Sequence, residues 1–332
     1  VIVAAFGVWI CMSFQMVFWA MGSVIKQMLD AVQKPWIATT IYSTMIVINL
    51  PVAYILIFGI DGILPALGLT GAGLAWLIAE MTTTLILFLY FFLSPRIKKY
   101  HGSGLVFDWF FKTPIDGKIK KYFLKSAIPV AIESFFEIIS YAMVGVMIGW
   151  FGVRELAARQ ISNGVLEMLY MIPFSMTYTT TIVISEIMGK KNFYRLRTAG
   201  FASVLMVSAF TLFSVILLLL FGKSKATFFG KELDFANVII PLATGFFIIG
   251  AISQWIDGLQ SVMLGALRGL GDFTFSSIAS IVGYAMIGLP LAYIFGFHIL
   301  HHPFGIIIGF VIGVFLVGII LSIRFWYKTK IT

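Results

Sequence analysis

Long apolar runs separated by short polar breaks dominate this 332-residue chain. Nine such runs can be marked, at 6–29, 36–59, 70–94, 126–150, 160–187, 199–222, 236–265, 275–297 and 304–326. Crossing about 30 Å of hydrocarbon takes roughly 20 helical residues, so every run is long enough to span a bilayer. The expected fold class is all-α, a polytopic membrane bundle with nine transmembrane helices. Two of the runs repeat one another. Leu50-Pro51-Val52-Ala53-Tyr54-Ile55 returns as Leu289-Pro290-Leu291-Ala292-Tyr293-Ile294, and at the same shift Gln15 falls on Gln254. Duplicated helix sets around a shared interior are a common plan for transporters. One difference between the copies stands out: Asp257 in the second corresponds to Phe18 in the first. A carboxylate inside an apolar helix is costly to keep, which points to work done there.

The longest polar stretch ends at Lys125 and holds Pro95, Gly102, Gly104, Pro114 and Gly117. It divides the chain into residues 1–94, read as the second half of an N-terminal lobe with three helices, a cytoplasmic inter-lobe linker at 95–125, and a C-terminal six-helix lobe at 126–332. Because the first copy matches only the last three helices of that lobe, three further helices are expected ahead of Val1.

Composition narrows the function classes. Hydrophobic residues make up 60% of the chain, charged residues 11%, and mean hydropathy is +1.02, which excludes a water-soluble domain. The net charge of +9 does not signal nucleic acid, because the basic residues gather at alternate helix ends. Arg96, Lys98, Lys99, Lys112, Lys118, Lys120 and Lys121 follow the third run, Lys190, Lys191, Arg195 and Arg197 the fifth, and Arg268 the seventh; Arg324, Lys328 and Lys330 close the chain. Those loops and the C-terminus are expected on the cytoplasmic side of the inner (plasma) membrane. Cys11 is the only cysteine, so no disulfide framework is possible. His298, His301 and His302 read as a solvated turn at an outer helix end. No nucleophile elbow, phosphate-cradling loop or zinc signature occurs, so neither an enzyme nor a cofactor is expected.

Five acids lie inside the runs: Glu80, Glu133, Glu137, Glu167 and Asp257. Glu133 and Glu137 are one turn apart and share a helix face. A carboxyl group withdrawn from water prefers its neutral form and ionises when a cation approaches, so it can trade a proton for a charged ligand. Glu137 and Asp257 suit that role, whereas Glu80, Glu133 and Glu167 read more readily as members of static polar pairs. Phe135, Phe136, Tyr141, Met143 and Met147 on one run, Met168, Tyr170, Met171 and Met176 on the next, and Trp255 form soft, polarisable surroundings suited to aromatic cations.

These residues resemble the MATE family, the multidrug and toxic compound extrusion transporters, in its NorM-like form. Ala266-Leu267-Arg268-Gly269-Leu270-Gly271-Asp272 followed by Gly288-Leu289-Pro290 resembles the family's tenth and eleventh helices. Ala157-Ala158-Arg159-Gln160-Ile161 with Met171-Ile172-Pro173 resembles the eighth, and Asn49-Leu50-Pro51 with Gly71-Ala72-Gly73 the fifth and sixth. The resemblance runs from the fourth helix to the twelfth, with the first three absent. It implies a 6+6 pseudo-twofold fold with a central cavity, alternating access, and export of small amphipathic or cationic organic compounds from the bilayer by a protein that is monomeric when complete. The driving ion would be Na⁺ or H⁺, and no metal beyond Na⁺ at the coupling acids is implied. Glu137 and Asp257 carry over as cation-coupling residues. Glu133, Gln254, Asn163, Glu167 and Asn49 are secondary coupling or substrate candidates, and Phe136, Tyr141, Met171 and Trp255 are candidates for the substrate cavity. Ala53, Trp76 and Arg159 depart from the family pattern, Arg159 replacing a usual His. A lipid-linked oligosaccharide flippase of the same superfamily would want a strongly cationic cavity, and an integral membrane enzyme a nucleophile or metal set; the runs contain neither.

Overall fold

Each apolar run forms a helix in the computed structural model, which describes residues 2–60, 65–94, 116–230 and 236–330. Among the described residues these are α1 (Ile2–Ala31), α2 (Pro35–Phe58), α3 (Gly68–Leu93), α4 (Gly117–Gly149), α5 (Val153–Gly189), α6 (Tyr194–Gly230), α7 (Ala236–Gly269), α8 (Phe273–Ile299) and α9 (Pro303–Lys330). The all-α polytopic expectation is borne out, and eight of these helices are long and apolar enough to cross a membrane. The exception is α5, because Gln160, Ser162, Asn163, Glu167 and the run Thr179-Thr180-Thr181 break its apolar character.

Helices extend past the apolar runs. The carboxylate of Asp116 accepts a hydrogen bond from the Lys118 amide at 2.9 Å and caps α4, so residues 117–125, which polarity assigns to a linker, are helical. The remainder of that linker, with Arg96, Lys98, Lys99 and Lys112, lies outside the described residues, as does Val1. The chain divides into two compact units, Val1–Ile115 and Asp116–Thr332.

In the first unit α1 and α2 pack on α3 around Ile25, Leu29, Ala38, Leu87 and Phe91. Gly71 lets α3 approach the Leu56 carbonyl where any side chain would collide.

The second unit is organised around α5 and α7. Gly250, Gly258, Gly265 and Gly269 give α7 a bare stripe, and a side chain at Gly265 would strike the Thr177 carbonyl of α5. This closeness lets the polar groups of α5 find partners: Ser162 donates to the Ala243 carbonyl at 3.0 Å and Thr181 to that of Gly265 at 2.9 Å. The polar groups on the side of α5 that meets α7 are thereby satisfied. Gly305, Gly309 and Gly313 do the same for α9 against α8, whose backbone widens into π-helical stretches at Val282–Gly288 and Ile294–Ile299 on either side of Pro290. Shifted by the spacing of the sequence repeat, α2 falls on α8, so the duplicated motif occupies equivalent helices.

Candidate functional site

Glu133, Glu137 and Tyr141 recur every four residues along α4 and form one stripe, and Asp257, Ser261 and Arg268, one and then two turns apart, share a face of α7. α4 leans on α5, α8 and α9 and reaches α7 through long side chains. At one end of this polar ladder Arg268 Nη2 donates to Glu133 Oε2 at 2.9 Å, and Ser277 Oγ of α8 donates to the same oxygen at 2.6 Å. The Glu133 side chain is fully buried. At the other end the Tyr141 hydroxyl donates to Asp257 Oδ1 at 3.3 Å. Glu137 is half-buried between them and interacts electrostatically with Glu133, Asp257 and Arg268.

Aromatic packing fixes this arrangement. The Tyr141 ring meets Phe310 edge-on at 5.0 Å, Tyr284 stacks on Phe310, and the Tyr284 hydroxyl donates to Gln260 Oε1 at 3.0 Å. Tyr170 and Ser261 share a hydrogen bond of 2.9 Å beside Asp257. From α5, Arg159 lies within electrostatic reach of Tyr141, Glu167 and Asp257. Two carboxyl groups on different helices, a phenol hydroxyl and a nearby guanidinium are thus gathered in an otherwise apolar bundle. The carboxylate and hydroxyl oxygens of Glu137, Tyr141 and Asp257 are hard donors of the type that Na⁺ or a proton accepts.

The other predicted residues are placed unevenly. Gln254 is buried, and its amide donates to the Leu166 carbonyl, so it joins α7 to α5. Asn163 is half-buried and Glu167 exposed on α5. Phe136, Met171 and Trp255 show 36%, 60% and 38% of their surface. Asn49 belongs to the first unit, where its Oδ1 is buried without a partner. His302 Nδ1 accepts from the Phe304 amide, and no cluster of metal-ligating side chains occurs among the described residues.

Three contributors escape a reading by apolarity. Arg268, counted with the loop charges, stands in the last turn of α7 and reaches inward; Ser277 supplies a hydroxyl from a neighbouring helix; and Arg159 faces the Asp257 end of the ladder. Arg268 had a usable signal in its position about three turns along the helix from Asp257 on the same face, and Arg159 one in its replacement of the family's usual His.

The MatE family model matches residues 129–294, half of the chain and all of the ladder. The chain belongs to the MatE family. A Bacillus subtilis relative described as probable multidrug resistance protein NorM is 28% identical over 291 residues, covering 88% of this chain and 62% of the relative. A Bacillus cereus protein of the same description is 30% identical over 307 residues, 91% of this chain and 64% of its own length. The chain therefore spans less than two thirds of these MatE relatives. The fold is that of a Vibrio cholerae MATE transporter, with TM-score 0.80 at 16% identity over 98% of this chain and 69% of that one, and of a MOP superfamily transporter from Pyrococcus furiosus, with TM-score 0.75 at 18% identity over 98% and 77%.

Proposed function

We propose that this chain works in a secondary active exporter of small amphipathic or cationic organic compounds, driven by inward Na⁺ or H⁺ through Glu137 and Asp257 with alternating access. The observation that carries the reading is the hydrogen bond from Tyr141 to Asp257, because it ties the carboxyl group of α7 to α4, where Glu137 lies one turn from Tyr141 and interacts electrostatically with Asp257. Cation binding joins the two helices, and its release frees them to separate; a bound ion thereby biases the conformation that handles substrate. The exposed faces of Phe136, Met171 and Trp255, together with the ring of Tyr141, suit a planar organic cation. Membership of the MatE family and the NorM descriptions of its relatives support export.

One end of the second unit supports an orientation. There Arg324 and Lys328 meet Asp272 at 3.0 and 2.9 Å, and Arg197 donates to Thr329 at 3.4 Å. A basic end of this kind favours the cytoplasmic side of a plasma membrane, and supports the reading that the last residues of α9 lie inside. The transporter works as a monomer.

Dye efflux from vesicles carrying the full-length protein, under separately imposed Na⁺ and proton gradients, tests the proposal. Glu137→Gln and Asp257→Asn are each expected to abolish gradient-driven efflux while leaving insertion intact. Undiminished efflux in both variants refutes the coupling role.

A further inference from the structure

The first unit holds a polar centre of its own. A methyl group built on Gly22 of α1 would lie 2.8 Å from Thr84 Oγ1, 3.0 Å from Tyr42 Oη and 3.8 Å from Glu80 Oε1, so oxygens from α2 and α3 converge on one point over the bare face of α1. Glu80 Oε1 is buried without a hydrogen-bond partner, and among the described residues no basic side chain pairs with Glu80. Thr84 spends its proton on the Phe18 carbonyl at 2.9 Å, which leaves its oxygen lone pairs free.

We propose that Glu80, Tyr42 and Thr84 form a second monovalent-cation site, for Na⁺, over Gly22. Na⁺ is a hard ion that takes oxygen ligands, and one carboxylate with two neutral hydroxyls balances a single positive charge but leaves a divalent ion under-compensated. The buried cluster of Ile25, Leu29, Ala38, Leu87 and Phe91 closes the end where α1 turns into α2. Asn49 lies two turns beyond Tyr42 on α2 with its own buried, unpartnered Oδ1, so the polar track continues toward the opposite end. The sequence repeat gives the location meaning. Phe18, whose carbonyl holds Thr84, is the counterpart of Asp257, so the proposed site lies about one turn along α1 from the position equivalent to Asp257 on α7. The ligands are not at positions 53 and 76, where the family resemblance would look and where Ala53 and Trp76 offer none.

Equilibrium binding of radiolabelled Na⁺ to the purified full-length protein tests this, with Glu137→Gln and Asp257→Asn combined as the background so that the outcome is independent of their role. One saturable Na⁺ site is expected to remain in that background and to disappear with Glu80→Gln. Tyr42→Phe, which removes one oxygen and little volume, is expected to weaken it about tenfold, and Gly22→Ala, which fills the cradle, by at least as much. Melting in Na⁺-free buffer identifies any variant that fails to fold; should Glu80→Gln be one, Tyr42→Phe carries the test. Absence of saturable binding in the background, retention of it in folded Glu80→Gln, or parent-like affinity in Tyr42→Phe overturns the proposal.

Discussion

Replacing Arg268 by Met separates architecture from coupling. Glu133 is fully buried, and its Oε2 is held by Arg268 at 2.9 Å and Ser277 at 2.6 Å while its Oε1 has no partner. Arg268→Met strips away the charge partner and leaves a carboxylate supported by one hydroxyl. Breaking a buried pair from one side costs about 3–5 kcal/mol, because desolvation of the remaining charge goes uncompensated. Removing both charges with Glu133→Leu and Arg268→Met takes that penalty away, and apolar replacement of a buried pair is commonly neutral or stabilising. The single variant should therefore melt well below the parent, the double variant should return to within about 1 kcal/mol of it, and the double-mutant cycle should give an interaction of at least about 2 kcal/mol. Unfolding of purified protein in mixed micelles, followed by tryptophan fluorescence, measures all three, and efflux at a temperature where each is folded completes the test. A loss below about 0.5 kcal/mol in Arg268→Met, or a double variant no better than it, refutes the structural account. Loss of ion-driven efflux in a folded double variant would instead move Glu133 into the coupling machinery.

Tyr141→Phe removes the 3.3 Å hydrogen bond to Asp257 but leaves the ring packed on Phe310. At about 1 kcal/mol for so long a bond, the half-saturating coupling-ion concentration for efflux should shift about 3- to 10-fold with folding unchanged, and an unaltered ion dependence would exclude Tyr141 from the site. Gly309→Leu drives a side chain into the rigid Leu291 carbonyl and should yield aggregated protein by size-exclusion chromatography, whereas a monodisperse product would show that α8 and α9 can separate freely. Asp272→Asn loses Arg324 and Lys328, whose side chains are one third exposed, so the cost should stay near 1 kcal/mol in thermal melts and shrink in high salt; a loss above about 3 kcal/mol would place this cluster among the buried pairs.

Hydrophobic runs made nearly the whole helical plan legible, because a bilayer-spanning helix must be apolar along its length and announces itself locally. The helix ends were less so. The basic first turns of α4 read as linker by polarity, yet Asp116 caps them and no proline intervenes before Pro129, so the helix continues through its charges. Side-chain pairing was the least accessible layer. The spacing of Glu133 and Glu137 predicts a shared face, but nothing in spacing says that the first is neutralised by Arg268 from another helix and the second is not. Gln254 illustrates the same limit: its repeat partner Gln15 and its nearness to Asp257 suggest a ligand, while its amide is committed to the Leu166 carbonyl. Such assignments depend on the close approach that α7 glycines give α5, a property of two helices together.

The two copies of the repeat illustrate how a duplicated membrane scaffold accommodates polarity. In an apolar bundle every hydrogen-bonding group must find a partner, so a polar centre persists only where small residues let helices close on one another or where a charge has its counter-charge. The second copy uses both devices: glycines on α7 admit the polar face of α5, and Arg268 matches Glu133, while Glu137 and Asp257 have no ion pair of their own among the described residues. In the first copy the polar centre rests on a small residue, Gly22, and Glu80 beside it has no ion pair among the described residues. In each copy an acid lacking a fixed ion pair has oxygen neighbours, Tyr141 for Asp257 and Tyr42 with Thr84 for Glu80. A protein that needed only stability would have paired those charges or replaced them by apolar side chains. Leaving them open costs stability in every state without a bound cation, and that cost makes cation occupancy able to shift the balance between conformations.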